Sequence, residues 1–167
     1  MTKKYYAIMV SLFVSLFIYL FYRTDKTVVN EMAILFFSQR TYLGLKTSII
    51  KFLPLNDILI YSLPEGLWIF CATITSRPYF IRLGKWKFKC AYIPLIYGIG
   101  LEFLQLYHVT NGRFDYTDLW VSAIFWLIGI NVYKEEADRQ NRMMPLNLKS
   151  VACLATYGIV YLSHVFK

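Results

Sequence analysis

The chain has 167 residues, of which 57% are hydrophobic, 19% aromatic and only 17% charged, with a formal net charge of +8. This balance is too apolar for a soluble domain and fits neither a disordered chain nor a disulfide scaffold. What remains is an all-α polytopic membrane protein, a transmembrane helix bundle forming one domain over residues 1–167. Its basic excess follows from loops on one membrane face, with no need for nucleic acid as a partner.

In chain order, the first predicted element is Tyr5–Tyr22, an uncharged run long enough to cross a ~30 Å hydrocarbon core as a helix. Lys3 and Lys4 precede it like the basic region of a secretory signal. The run ends in Leu20-Phe21-Tyr22-Arg23 with no small-residue cleavage site, so it reads as an uncleaved signal anchor. Between Val28 and Phe52, apolar Val29, Met32, Phe36, Leu43 and Ile50 alternate with Gln39, Arg40, Lys46 and Lys51 at imperfect helical spacing. That pattern predicts an interfacial amphipathic helix packed on the bundle; the functional alternative is a lid over an outward-facing site.

Four further spans are placed at about Asp57–Thr75, Phe88–Tyr107, Asp118–Tyr133 and Val151–Phe166, making five in all. The loop after the second holds Arg77, Arg82, Lys85, Lys87 and Lys89 and no acid, which makes it cytoplasmic. Lys134, Arg139, Arg142 and Lys149 agree, so the N-terminus lies inside and the C-terminus outside. Arg23, Lys26, Arg40, Lys46 and Lys51 then fall on the outer side, against the charge rule. Tyr5, Tyr6, Tyr19, Tyr22, Tyr107, Tyr116, Trp120, Tyr133 and Tyr161 sit near span ends as interfacial anchors. Cys71, Cys90 and Cys153 have no motif spacing and read as small packing residues, with neither a zinc site nor a disulfide framework implied.

The chemistry-bearing residues gather around the turn between the third and fourth spans. Glu102 lies about 9 Å below the outer surface at helical rise, and Gln105 shares its helix face. Asp118 opens the next helix and could serve as its cap, with Asp115 in the turn before. Arg113 could form a bidentate pair with Glu102 or Asp118, or it could bind an anionic ligand while a carboxylate handles a proton. In the second span, Glu65 lies about 12 Å down, at a depth similar to that of Glu102, and Pro64 and Gly66 predict a kink beside it. Buried acids in apolar spans are costly, which makes them candidates for function. A divalent ion on Glu102, Asp118, Asp115 and His108 is chemically conceivable, but no ligand spacing supports it, so no metal or cofactor is expected. Gly98 and Gly100 read as close-packing positions; no phosphate-binding loop follows them.

Glu102-x-x-Gln105, then Arg113, Asp115 and Asp118, followed by an apolar helix with Gly129, resembles the signature of the VanZ-like family of small bacterial membrane proteins over residues 57–133. Departures fall in the fourth helix. Arg113-Phe114-Asp115 replaces the family's R-x-x-D, Ser122 stands where an asparagine is usual, and Phe125 where a glycine is usual. The resemblance implies a multi-pass protein of the bacterial cytoplasmic membrane and cell envelope, with a family link to resistance to the glycopeptide teicoplanin and no established reaction.

The expectation is an outward-facing polar cluster that binds an anionic envelope component such as a lipid-linked precursor or phospholipid headgroup. Arg113 would hold the anion, Glu102 would bear the proton, Gln105 would orient it, Asp118 would position Arg113, and Glu65 and Asp115 would line the site. The alternative is a non-catalytic structural or assembly subunit of a larger membrane protein complex. Transport ranks third, since no pair of corresponding broken helices appears.

Overall fold

A computed structural model describes residues 2–24, 26–83, 85–110, 113–133 and 148–160. The predicted Tyr161 anchor, Lys134, Arg139 and Arg142 of the linker, and the end of the fifth span lie outside them. The described chain is mainly helical: α1 (Thr2–Tyr22), α2 (Val28–Phe37), α3 (Gln39–Phe52), α4 (Asp57–Tyr61), α5 (Leu63–Ser76), α6 (Ile93–Leu106), α7 (Tyr116–Asn131) and α8 (Leu148–Ile159). Among the described residues, one helix, Lys3–Tyr22, is both long and apolar enough to cross a membrane.

The fold departs from the predicted elements in two places and turns a predicted kink into a break in a third, each for a local reason. The expected interfacial helix is two helices, α2 and α3, broken at Ser38, whose φ of 63° lies in the left-handed region. The second span is broken at Ser62, because Pro64 has no N–H to offer the Ile60 carbonyl and its ring disfavours a continuous helix; the helix restarts with proline in its first turn. The third span does not begin at Phe88. A β-hairpin of β1 (Phe80–Leu83) and β2 (Trp86–Lys89) occupies that stretch, with Phe80 opposite Lys89 and Arg82 opposite Lys87. A 3₁₀ turn, Cys90–Tyr92, then leads into α6, again with a proline, Pro94, near the start.

Helix α5 is the axis of the bundle. Every residue from Trp68 to Ser76 is buried, and α5 packs against α1, α6, α7 and α8. Side-chain contacts fix the directions. Ser15 meets Pro64 and Cys71 meets Ile8, so α1 and α5 are antiparallel. Glu65 meets Ser122 while Thr73 meets Gly129, so α5 and α7 run together. Trp126 donates to the Ala91 carbonyl at 2.9 Å and Trp68 to that of Thr156 at 2.7 Å, which sets α6 and α8 against them. Glycines on α5 and α7 permit the close approach: a Cβ on Gly66 would lie 2.6 Å from the Phe125 ring, and one on Gly129 3.1 Å from Thr73. Phe125 thus fills space left by Gly66. Gly98 packs closely on Ile69, but nothing lies within 4 Å of a Cβ at Gly100, so only the first of the two predicted packing glycines packs.

The bundle has two distinct ends. One holds the basic hairpin, Lys3 and the start of α8, and all three cysteines are buried and free in the molecule. The other gathers the end of α1, α4, the start of α5, the end of α6 and the start of α7. Helices α2 and α3 dock beside the tip of α1 through Asn30, which is fully buried and donates to the Tyr19 and Thr24 carbonyls while accepting from the Tyr42 hydroxyl.

Candidate functional site

At this second end the apolar helices leave a cavity of about 600 Å³, within the size range of small-molecule sites. All six residues expected from sequence line it: Glu65, Glu102, Gln105, Arg113, Asp115 and Asp118. Residues 65 and 118 are 53 apart in the chain, yet one carboxylate oxygen each from Glu65, Glu102 and Asp118 lie within 4.8 Å of one another.

Each acid is held by a different local device. Glu65 projects from the first turn after the Pro64 break and accepts from the Ser122 hydroxyl at 3.2 Å. Ser122 therefore ties α7 to α5 through this carboxylate. Gly98 makes room for the same carboxylate, since a Cβ there would come within 3.2 Å of Glu65 Oε1. Glu102 is 2% exposed, and its Oε2 accepts from the Asp115 backbone N–H at 3.1 Å. Asp118 stands in the first turn of α7, and its Oδ1 is enclosed with no hydrogen-bond partner among the described residues.

Two sequence expectations are corrected here. Asp118 is not the helix cap. Asp115 takes that role by accepting from the Thr117 N–H at 2.8 Å, and this hydrogen bond, with the nearby Arg113 charge as a lesser cause, holds the Asp115 carboxyl below its ordinary range. Nor does Arg113 pair with Glu102 or Asp118 among the described residues. It is exposed on the cavity wall, and the partner expected of it is replaced for Glu102 by a backbone amide. His108 takes the left-handed conformation after α6, with φ of 57°, and is not part of the carboxylate cluster.

Arg23 is the residue that sequence reading missed. Its charge seemed only to offend the orientation rule. In the fold its guanidinium lies 5.1 Å from the centre of the Tyr19 ring and 5.0 Å from that of Tyr61, in cation–π range, and it forms part of the cavity wall. The one available signal was its place directly after the uncharged run Tyr5–Tyr22. Asp57, Tyr61, Ser62 and Thr117 complete the polar lining and carried no motif.

The lining counts five carboxylates, Asp57, Glu65, Glu102, Asp115 and Asp118, against two guanidiniums, Arg23 and Arg113. Two like charges at ~4 Å repel by about 4 kcal/mol at an effective dielectric near 20. The three clustered acids therefore stay ionised together only beside a positive counterpart, and otherwise hold a proton among them. Their donor set is all oxygen, and a spread of 4.8 Å is what one hard cation would span with opposed ligands at ~2.3–2.6 Å. The fold thus offers a donor set absent from the linear spacing, with Glu65 in place of Asp115 and His108. In comparisons with protein-family models, curated proteins and solved structures, nothing matches this chain.

Proposed function

We propose that the chain is a VanZ-like multi-pass protein of the bacterial cytoplasmic membrane, whose outer cavity binds the anionic headgroup of an envelope lipid together with a divalent cation. The spans are α1, α4–α5, α6, α7 and α8, with the N-terminus inside. Alternating helix directions support this topology, as does the gathering of Lys3, Arg77, Arg82, Lys85, Lys87 and Lys89 at the end away from the cavity.

The observation that carries the reading is the convergence of Glu65, Glu102 and Asp118 with Arg23 and Arg113 on one cavity at the end of an apolar bundle. An anion alone would meet a net excess of carboxylates. A headgroup phosphate bridged by a cation meets both signs: the acids take the cation, and the arginines take the remaining phosphate oxygens. Glu102, anchored by the Asp115 amide, is the most fixed of the ligands, and Gln105 one turn on faces the same space.

The test uses the full chain in mild detergent with glycerol 3-phosphate as the headgroup probe, read by thermal shift with Ca²⁺ or Mg²⁺ and with a chelator. Stabilisation by the probe should need the cation and should fall at least tenfold in apparent affinity in Arg113→Ala. Equal stabilisation by choline, or indifference to both cation and Arg113, would sink the reading.

A further inference from the structure

Below the polar cavity runs a second, smaller hollow of about 150 Å³, lined chiefly by apolar side chains. Leu16 and Tyr19 of α1, Pro64 and Trp68 of α5 and Leu101 of α6 line it. Tyr97 meets Trp68 edge-on at 5.4 Å, and Ile159 and Val160 at the end of α8 add to the lining. Arg23, Tyr61 and Glu65 line both hollows. The two spaces therefore meet at a guanidinium, a phenol and a carboxylate.

We infer that these hollows form one amphipathic site for a single-chain lipid phosphate, with its head in the carboxylate cavity and its hydrocarbon chain between α1 and α6 along α5. The inference rests on the headgroup reading above and adds the class of ligand. The order of chemistry along the site matches such a molecule: clustered acids and arginines, then an amphipathic junction, then an apolar trough. Arg23 is fixed at the junction by the Tyr19 and Tyr61 rings, at the level where a phosphate ester oxygen gives way to methylene. A hydrocarbon chain laid against these apolar side chains removes its surface from water. A separate apolar depression between α1 and α7, bounded by Val10, Phe70 and Phe125, shares no residue with the polar cavity and gives a second chain no continuous path from the same head.

The experiment compares n-alkyl phosphates of increasing chain length with glycerol 3-phosphate, in the presence of Ca²⁺, on the full chain in detergent. Two variants fill the trough from different helices: Leu16→Trp, at a position 40% exposed, and Ile159→Trp, at one 37% exposed. Affinity for the wild type should rise about fourfold per added methylene until the trough is full and then level off. Leu16→Trp and Ile159→Trp should each level off at a shorter chain, while their response to glycerol 3-phosphate stays unchanged. In a chain whose other three tryptophans are phenylalanine, a bromine-labelled alkyl phosphate should quench Trp68, and Ile159→Phe with the same label should leave quenching at the head-proximal carbons intact.

If glycerol 3-phosphate binds and chain length adds nothing beyond what both Trp variants also show, the tail site is wrong and the headgroup reading survives. If no phosphate binds with any cation, both fall. Equal affinity for two-chain phosphatidic acid and the single-chain phosphate, with Trp68 quenching insensitive to Leu16→Phe, would assign the effect to the detergent phase and overturn the inference.

Discussion

The two ends of the bundle bury polar groups in opposite ways. At the hairpin end, hydroxyls answer one another: Thr75 bonds to the Cys71 carbonyl at 2.9 Å and lies 3.0 Å from the Thr156 hydroxyl, and Ser76 lies 2.9 Å from that of Tyr157. These are neutral groups that join α5 to α8, the usual means of fastening helices in apolar surroundings. At the cavity end the clustered groups are three carboxylates, acids of one kind with no base among them. Neutral, mutually bonded groups stabilise the fold by themselves, whereas clustered like charges stabilise it only with something added. The first end is therefore read as architecture and the second as a site.

The sharpest way to break this contrast is to neutralise one acid. Asp118→Asn keeps shape while removing a carboxylate that crowds Glu65 and Glu102, so the cation-free protein should gain about 1–3 kcal/mol, seen as a higher unfolding temperature in chelator. The same change should lower cation-dependent probe binding by about 100-fold. A variant that loses stability in chelator would show that the acids are structural partners, and the distinction between the ends would fail.

Next in size is a packing test on α5 and α7. Gly66→Ala forces a methyl group to within 2.6 Å of the Phe125 ring and should cost about 1–3 kcal/mol. Adding Phe125→Ala should recover part of that loss, because the two changes share one space; simple additivity would show that the clash is relieved elsewhere. A smaller effect is expected at the hairpin end. Thr75→Val should cost about 1 kcal/mol and leave probe binding unchanged. Lost binding in that variant would mean that the two ends communicate.

How much of this was legible beforehand varies with the kind of information each residue carries. Glu102, Gln105, Arg113 and Asp118 stood out because a short stretch of polar residues interrupts apolar ones, and Glu65 because of its depth and the flanking Pro64 and Gly66. The break at Ser62 was readable from proline stereochemistry alone. The hairpin was not. Phe80 to Lys89 is basic and aromatic, and its charges read equally well as a cytoplasmic loop; only backbone pairing distinguishes the two. Arg23 was unreadable because its meaning depends on Tyr61, 38 residues away, and on the hollow between α1 and α6. The cap of α7 stayed open between Asp115 and Asp118 because both are chemically fit for it, and geometry alone chose Asp115.

That choice supplies the smallest and most local prediction. Asp115 joins the two functions of the cavity end: its side chain caps α7, while its backbone N–H holds Glu102. Its carboxyl is held below the ordinary range in the folded state, so it contributes stability at pH values above the unfolded carboxylate range, and that contribution disappears as pH falls through the lower folded value. Asp115→Asn retains an acceptor for Thr117 but cannot titrate. It should therefore flatten the acid limb of the unfolding profile slightly while preserving probe binding, because the amide that holds Glu102 belongs to the main chain. Asp115→Ala removes the cap altogether, frees the first turn of α7 and should weaken binding through Glu102 with no change in the number of cavity ligands from the cluster. If Ala and Asn variants bind the probe equally well, the cap does not position Glu102, and the carboxylate must be held by the packing of α6 on α5 alone.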